Sequence, residues 1–166
     1  MDHAQIVAGL QEALVLGMCK SAHSFLDALQ DINFMVDGSL EGWEMPLLHF
    51  AIKKTLMVSR FPRPAIQGPK NDGVLFQEHL EVLKRIIAMG ANMSAQDTYG
   101  NLPIMRAVLD ALAIDLSITD DEFDEDLEIV FALLIENGAD PREKTSTRKA
   151  VVEMFKNNEV LSYFPK

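Results

Sequence analysis

The chain has 166 residues and a mass of 18.5 kDa, which suits a single domain with a sizeable core. Its formal charge of −10 leaves no basic footprint for non-specific binding of nucleic acid, and it makes an anionic membrane surface an equally poor partner. A single cysteine, Cys19, excludes an internal disulfide and a cysteine-based zinc site, and it fits a reducing compartment.

Taken in chain order, the apolar spacing predicts helices throughout. Ile6, Leu10, Leu14 and Met18 step by four and predict a first amphipathic helix, weakened near its end by Gly17. Gln11 and Glu12 interrupt that stretch, no basic residue precedes it, and it is too short to cross a bilayer. The expected location is therefore cytoplasmic. Ser24 before Phe25, Leu26, Leu29 and Ile32 predicts a second helix, and 46–56 a third. A fourth is expected from His79 to Met89, with Gly90 just beyond its end. Pro103 opens a fifth that runs to about Leu116. A sixth is expected from Asp126 to Asn137, closed by Gly138, and a seventh from Thr147 to about Asn157. No stretch alternates at period two for long, so the predicted class is all-α.

The charge is unevenly placed. Between Ala107 and Pro141 there are eleven acids and no lysine or arginine, a local net of −11 that leaves the rest of the chain at +1. From Lys53 to Lys70 there are five basic residues (Lys53, Lys54, Arg60, Arg63, Lys70) and no acid. Such runs are either solvated loops or surfaces built to meet a partner of opposite sign.

Two phrases recur. Met89-Gly90-Ala91-Asn92 and Asn137-Gly138-Ala139-Asp140 each follow a Leu/Ile-rich helix. Gly100 to Ala107 (Gly-Asn-Leu-Pro-Ile-Met-Arg-Ala) has an earlier counterpart in Gly42 to Ala51, where Pro46 sits one place early. In phrase, order and spacing the chain resembles the ankyrin repeat, whose unit is a turn glycine, T-P-L-H-x-A, two helices and G-A-D/N. Asp31-Ile32-Asn33 reads as a degraded first copy of the closing phrase. The resemblance implies a helical solenoid of about four helix-turn-helix repeats in one domain, 1–166, with repeats at about 1–36, 37–95, 96–143 and a cap at 144–166. Two of these repeats are longer than the family unit. The excess falls at 57–77, which holds the basic Arg60 to Gly73, and at 114–125, which is acidic. Insertions between the helices of a repeat project from one side of a solenoid, so the two charged segments are expected on the same edge.

The resemblance also implies site residues. The positions flanking the turn glycines carry partner contacts in such proteins; here they are Trp43 and Glu44 in one unit, and Thr98, Tyr99 and Asn101 in the next. Arg106 and Asp110 follow on the first helix. His49 falls where the family keeps a structural histidine that hydrogen-bonds the neighbouring turn.

Chemistry-bearing motifs are sparse. The acidic run from Thr119 to Asp126 lacks the glycine of a calcium loop, and Phe123 interrupts it. The four histidines form no metal motif, and there is no P-loop, G-x-S-x-G or G-x-G-x-x-G. Cys19, expected in a turn between helices with His23 four residues on, has no sequence partner for an oxyanion hole. No cofactor or metal is expected. The expected function is non-catalytic protein binding. Its sharpest form is an acidic immunity or inhibitor protein that occludes the active site of a basic toxin or enzyme. The segment from Asp115 to Glu128 would make the contact, with Asp120, Asp121, Glu122, Asp124, Glu125 and Asp126 at its centre and Trp43 and Tyr99 as anchors. The alternatives are an adaptor or effector tethering partner proteins, and an enzyme using Cys19 or the acidic run with a metal.

Overall fold

The computed structural model describes all residues except 39–41, which belong to the expected second repeat. The described residues are predominantly helical.

Helix α1 (His3–Val15) starts earlier than the apolar stepping suggests, because Asp2 and Gln5 form a reciprocal capping box. The Gln5 amide donates to Asp2 Oδ1 at 2.9 Å, and the Asp2 amide donates to Gln5 Oε1 at 3.0 Å. Helix α2 (Cys19–Asp27) begins five residues before the expected Ser24 cap. Ser24 lies inside it, donating its hydroxyl to the Lys20 carbonyl one turn back. Cys19 is therefore the first residue of a helix, not part of a turn. Leu29 and Ile32, expected on α2, lie beyond it, although both are buried.

Two three-residue strands follow, β1 (Met35–Asp37) and β2 (Glu44–Pro46), paired antiparallel with Val36 opposite Met45. The all-α expectation overlooked them because three residues are too few to show a period of two. Helix α3 (Leu47–Met57) is buried over most of its circumference. Helix α4 (Gly73–Ala88) starts six residues before the expected His79, because Asp72 accepts the Leu75 amide at 2.9 Å and caps it there. Pro103 occupies the first turn of α5 (Pro103–Leu112), which ends four residues short of expectation. Helix α6 (Asp121–Glu136) starts five residues early, with Asp120 as its N-cap. The expected acidic loop is thus largely the first turn of a helix, where acids face the positive end of the backbone dipole. Gly90 and Gly138 follow α4 and α6 with φ of 92° and 103°, the left-handed closure their place in the recurring phrase predicts.

Helix α7 shrinks to a single turn (Val151–Met154). The residues before it form a turn, with the Thr145 amide on the Arg148 carbonyl at 3.0 Å, and this turn docks on the preceding one: Thr145 donates to the Gly100 carbonyl at 3.0 Å and Thr147 to the Tyr99 carbonyl at 3.2 Å. A 3-10 turn at Glu159–Tyr163 closes the chain.

The helices stack in two rows. α1, α3, α5 and α7 touch in order; α2, α4, α6 and the final 3-10 turn form the second row, and α1–α2, α3–α4 and α5–α6 pack as pairs between rows. One continuous apolar cluster runs through both rows, with Leu10, Ile52, Phe76, Leu83, Phe123 and Phe131 fully buried in it. Polar rungs join the turns along the stack. Asn33 donates to the Gly90 carbonyl and accepts the Asn92 amide at 3.0 and 2.8 Å. The Thr98 amide donates to the Glu44 carbonyl, while the Glu44 amide donates to Thr98 Oγ1. His49 Nε2 reaches the Ala95 carbonyl at 3.0 Å.

Candidate functional site

The basic and acidic segments meet each other. Arg60, at the start of the loop after α3, turns its guanidinium and its backbone amide onto Asp126 of α6. The amide lies 2.8 Å from Asp126 Oδ2, and Nη2 lies 2.6 Å from Oδ1. Asp126 is fully buried, while the Arg60 side chain keeps 17% of its exposure. Glu125 accepts from the same guanidinium at 3.0 Å, and Glu122 lies 3.5 Å away. Lys70 closes the other side, 2.6 Å from Asp120 and also paired with Glu122. The carboxylates hold the Arg60 guanidinium well above its ordinary value, and the Lys70 hydrogen bond holds the Asp120 carboxyl below its own.

This contact corrects part of the sequence reading. Asp126 cannot touch a partner, because it is sealed in the clasp. Asp120 and Asp124 are half-buried and engaged, Asp120 by Lys70 and by the α6 amides, Asp124 by the Tyr163 hydroxyl at 2.9 Å. Asp121, Glu122 and Glu125 remain exposed, as does Glu128 one turn on. Glu78 and Glu81 of α4 are exposed as well. Between α4 and the clasp lies an open cleft of about 660 Å³, lined by Val74, Gln77, Glu78, Glu81, Glu125 and Arg60.

The residues flanking the turns form a second assembly. Trp43 is 9% exposed, so it packs rather than projects, and its Nε1 donates to Asp97 at 3.4 Å. Tyr99 is 47% exposed and its ring centre lies 6.4 Å from that of Trp43. Glu44 and Thr98 are exposed, but their backbones and the Thr98 hydroxyl are spent on the rung between turns. Asn101 is buried with its amide nitrogen on Asp97, a fold residue rather than a contact residue. Arg106 and Asp110 form a bidentate pair at 2.9 and 2.8 Å on α5, with Asp110 buried. Burial pushes the Asp110 carboxyl above its ordinary value against the pull of Arg106.

No family model matches the chain, and no curated protein matches it.

The groups with nucleophilic or ligating chemistry lie apart from both surfaces. Cys19 faces His79 Nδ1 at 3.5 Å, not His23, and the His79 ring also spans the Leu75 and Leu14 carbonyls at 3.0 and 3.2 Å. Burial first, and Glu78 second, push the Cys19 thiol up to about 11, so it is held protonated and unreactive at neutral pH. His23 instead lies against Arg85. Among the described residues no three His, Cys, Asp or Glu side chains converge as a metal ligand set, and no helix is long and apolar enough to cross a membrane.

The clasp residues Arg60 and Lys70 were visible in the sequence only as a basic run opposite an acidic one. His79 and Tyr163 carried no signal, since each acts through a partner more than thirty residues away.

Proposed function

We propose that the chain is a non-catalytic protein-binding module of ankyrin-like stacked repeats, and that it captures a basic protein on the acidic face formed by α4 and the start of α6. Support for the repeat reading comes from the ordered two-row stacking, the rungs between successive turns, and His49 bonded to the turn of the next unit. The observation that carries the partner reading is the acid left over. Arg60 and Lys70 bring two positive charges to Asp120, Glu122, Glu125 and Asp126, and among the described residues Glu78, Asp121 and Glu128 pair with no base; Glu78, Glu81 and Glu125 line the cleft, and Asp121, Glu122 and Glu128 stand exposed on α6 beyond it. A lysine or arginine of a partner enters that cleft with its stem on Val74 and its charge among the glutamates. A toxin or enzyme whose substrate cleft is basic would be blocked by occlusion, which is the immunity or inhibitor role.

The test is affinity capture from the native source with wild type beside the variant Asp121→Asn, Glu122→Gln, Glu125→Gln, Glu128→Gln. These four positions leave the Asp120 cap and the buried Asp126 untouched. Loss of a single basic protein from the variant, with association to wild type slowed by salt, supports the reading. Equal capture by both removes the acidic face from the mechanism.

A further inference from the structure

Helices α3 and α5 together carry charge of the opposite sign. Lys53 and Lys54 are adjacent on α3, and Arg106 stands on α5. The Lys53 ammonium lies 5.2 Å from the centre of the Trp43 ring, and the Arg106 guanidinium lies 5.5 Å from the same ring. The Lys54 ammonium lies 5.2 Å from the Phe50 ring. Two carboxylates are near, and both are engaged. Asp110 holds the Arg106 fork. Asp97 is buried and accepts from Trp43, from the Asn101 side chain, and from the amides of Tyr99 and Asn101.

Among the described residues neither Lys53 nor Lys54 pairs with a carboxylate, although acids outnumber bases by 25 to 15 in the chain. Other bases in the described residues are unpaired too, Arg63 and Lys149 among them, but Lys53 and Lys54 are adjacent, and each ammonium lies over an aromatic ring. The two lysines are half-buried on aromatic rings, which fixes their heads and removes part of their water. Burial, and then Lys53, depress the Lys54 ammonium below its ordinary value. An arriving anion relieves both costs. The acid excess that would repel such an anion is concentrated at 107–141, and the remaining chain sums to +1.

We propose that the α3–α5 face is a docking surface for an acidic segment of a protein partner, with carboxylates on Lys53 and Lys54 and an apolar side chain on Tyr99. Charge complementarity selects the occupant. The Arg106 fork is already committed, so the free donors are two separate ammonium groups on separate rings. That pattern suits carboxylates on separate residues better than one phosphate, which favours a planar fork. Tyr99, exposed beside Trp43, adds the aromatic contact typical of an interface anchor. This surface is independent of the acidic face, and together they give the chain two oppositely charged sides.

Trp43 is the sole tryptophan, so its emission reports on this site. The probe is a glutamate-rich synthetic peptide carrying one phenylalanine, titrated at low salt. Wild type should show a saturable change in Trp43 emission that weakens as salt is raised. The variant Lys53→Glu, Lys54→Glu should lose affinity by about tenfold or more, and Lys53→Gln, Lys54→Gln should fall between, both with unchanged circular dichroism. A polylysine probe should bind the charge-reversed variant no less tightly than wild type, because it reads the acidic face. Four results would each overturn the proposal: no response from wild type, equal binding by the charge-reversed variant, equally tight binding of an RNA oligonucleotide, or self-association abolished by the same charge reversal.

Discussion

Asp126 shows how one carboxylate can be misread when its neighbours are unknown. In a run of seven acids it looks like surface, yet it is the only one sealed from water, with three donors of Arg60 around it. Asp126→Ala strands the half-buried Arg60 guanidinium and its amide, and should cost about 3 kcal/mol in a urea titration. Asp121→Ala, exposed in the same run, should change the midpoint little. His49 supplies a pH dependence of definite sign. Burial lowers its imidazole to about 4, against the opposing pull of the Ala95 hydrogen bond and Asp97. Its Nδ1 has no partner, so the folded ring is neutral with its proton on Nε2. The unfolded chain takes up a proton near pH 6.5 and the folded one only near 4. This site's stability is therefore full above about pH 6.5 and falls progressively towards pH 4, by about 3 kcal/mol in all. Denaturation midpoints between those values should slope less steeply in His49→Gln. Cys19 makes a third check, because its thiol is buried and held up near 11. A disulfide reagent at pH 8 should react with it only at the rate of opening, and at once in denaturant.

Helix boundaries moved wherever a cap was decided by a single residue outside the apolar pattern. Asp2, Asp72 and Asp120 each start a helix earlier than hydrophobic spacing alone places it. Asp120→Ala should remove both the cap on α6 and the Lys70 contact, lowering stability by about 1–2 kcal/mol. The turns are equally specific. Gly100 has φ of 77°, and a Cβ there would sit 2.0 Å from Thr147 Oγ1, whose side chain ties the terminal segment to this turn. Gly100→Ala should therefore loosen the last unit, seen as faster amide exchange from 145 to 155, while α1 and α2 keep their protection. The loss of most of α7 has the same origin, since residues folded into a turn from Thr145 to Arg148 and bonded to the Gly100 turn cannot also be helical.

Across the molecule, two rows of helices share one apolar cluster, and the clasp between Arg60 and Asp126 joins the loop after α3 to α6. Such continuity should make unfolding cooperative. Trp43 fluorescence and far-ultraviolet circular dichroism should give coincident urea transitions, and separated midpoints would show that the stacked units melt one by one. The charge is also organised across the whole fold. Helices α4 and α6 bear exposed glutamates around the cleft, and α3, in the other row, bears two lysines seated on aromatic rings. The net charge of −10 describes neither side.

Helical class, the recurring glycine phrases and the separation of acidic from basic segments were legible in the sequence, because spacing, turn chemistry and charge are local and repeat along the chain. The turn positions of Gly90 and Gly138 and the start of α5 at Pro103 follow from those local rules. Tertiary structure alone decided which charges are spent and which are free. Asp126, Asp110 and Asn101 look like surface residues until packing buries them, and Lys53 and Lys54 look ordinary until their ammonium groups are seen over the Trp43 and Phe50 rings. Pairing spans up to sixty-six positions in this chain. Its outcome depends on distance and water in three dimensions, to which the order of residues along the chain is indifferent.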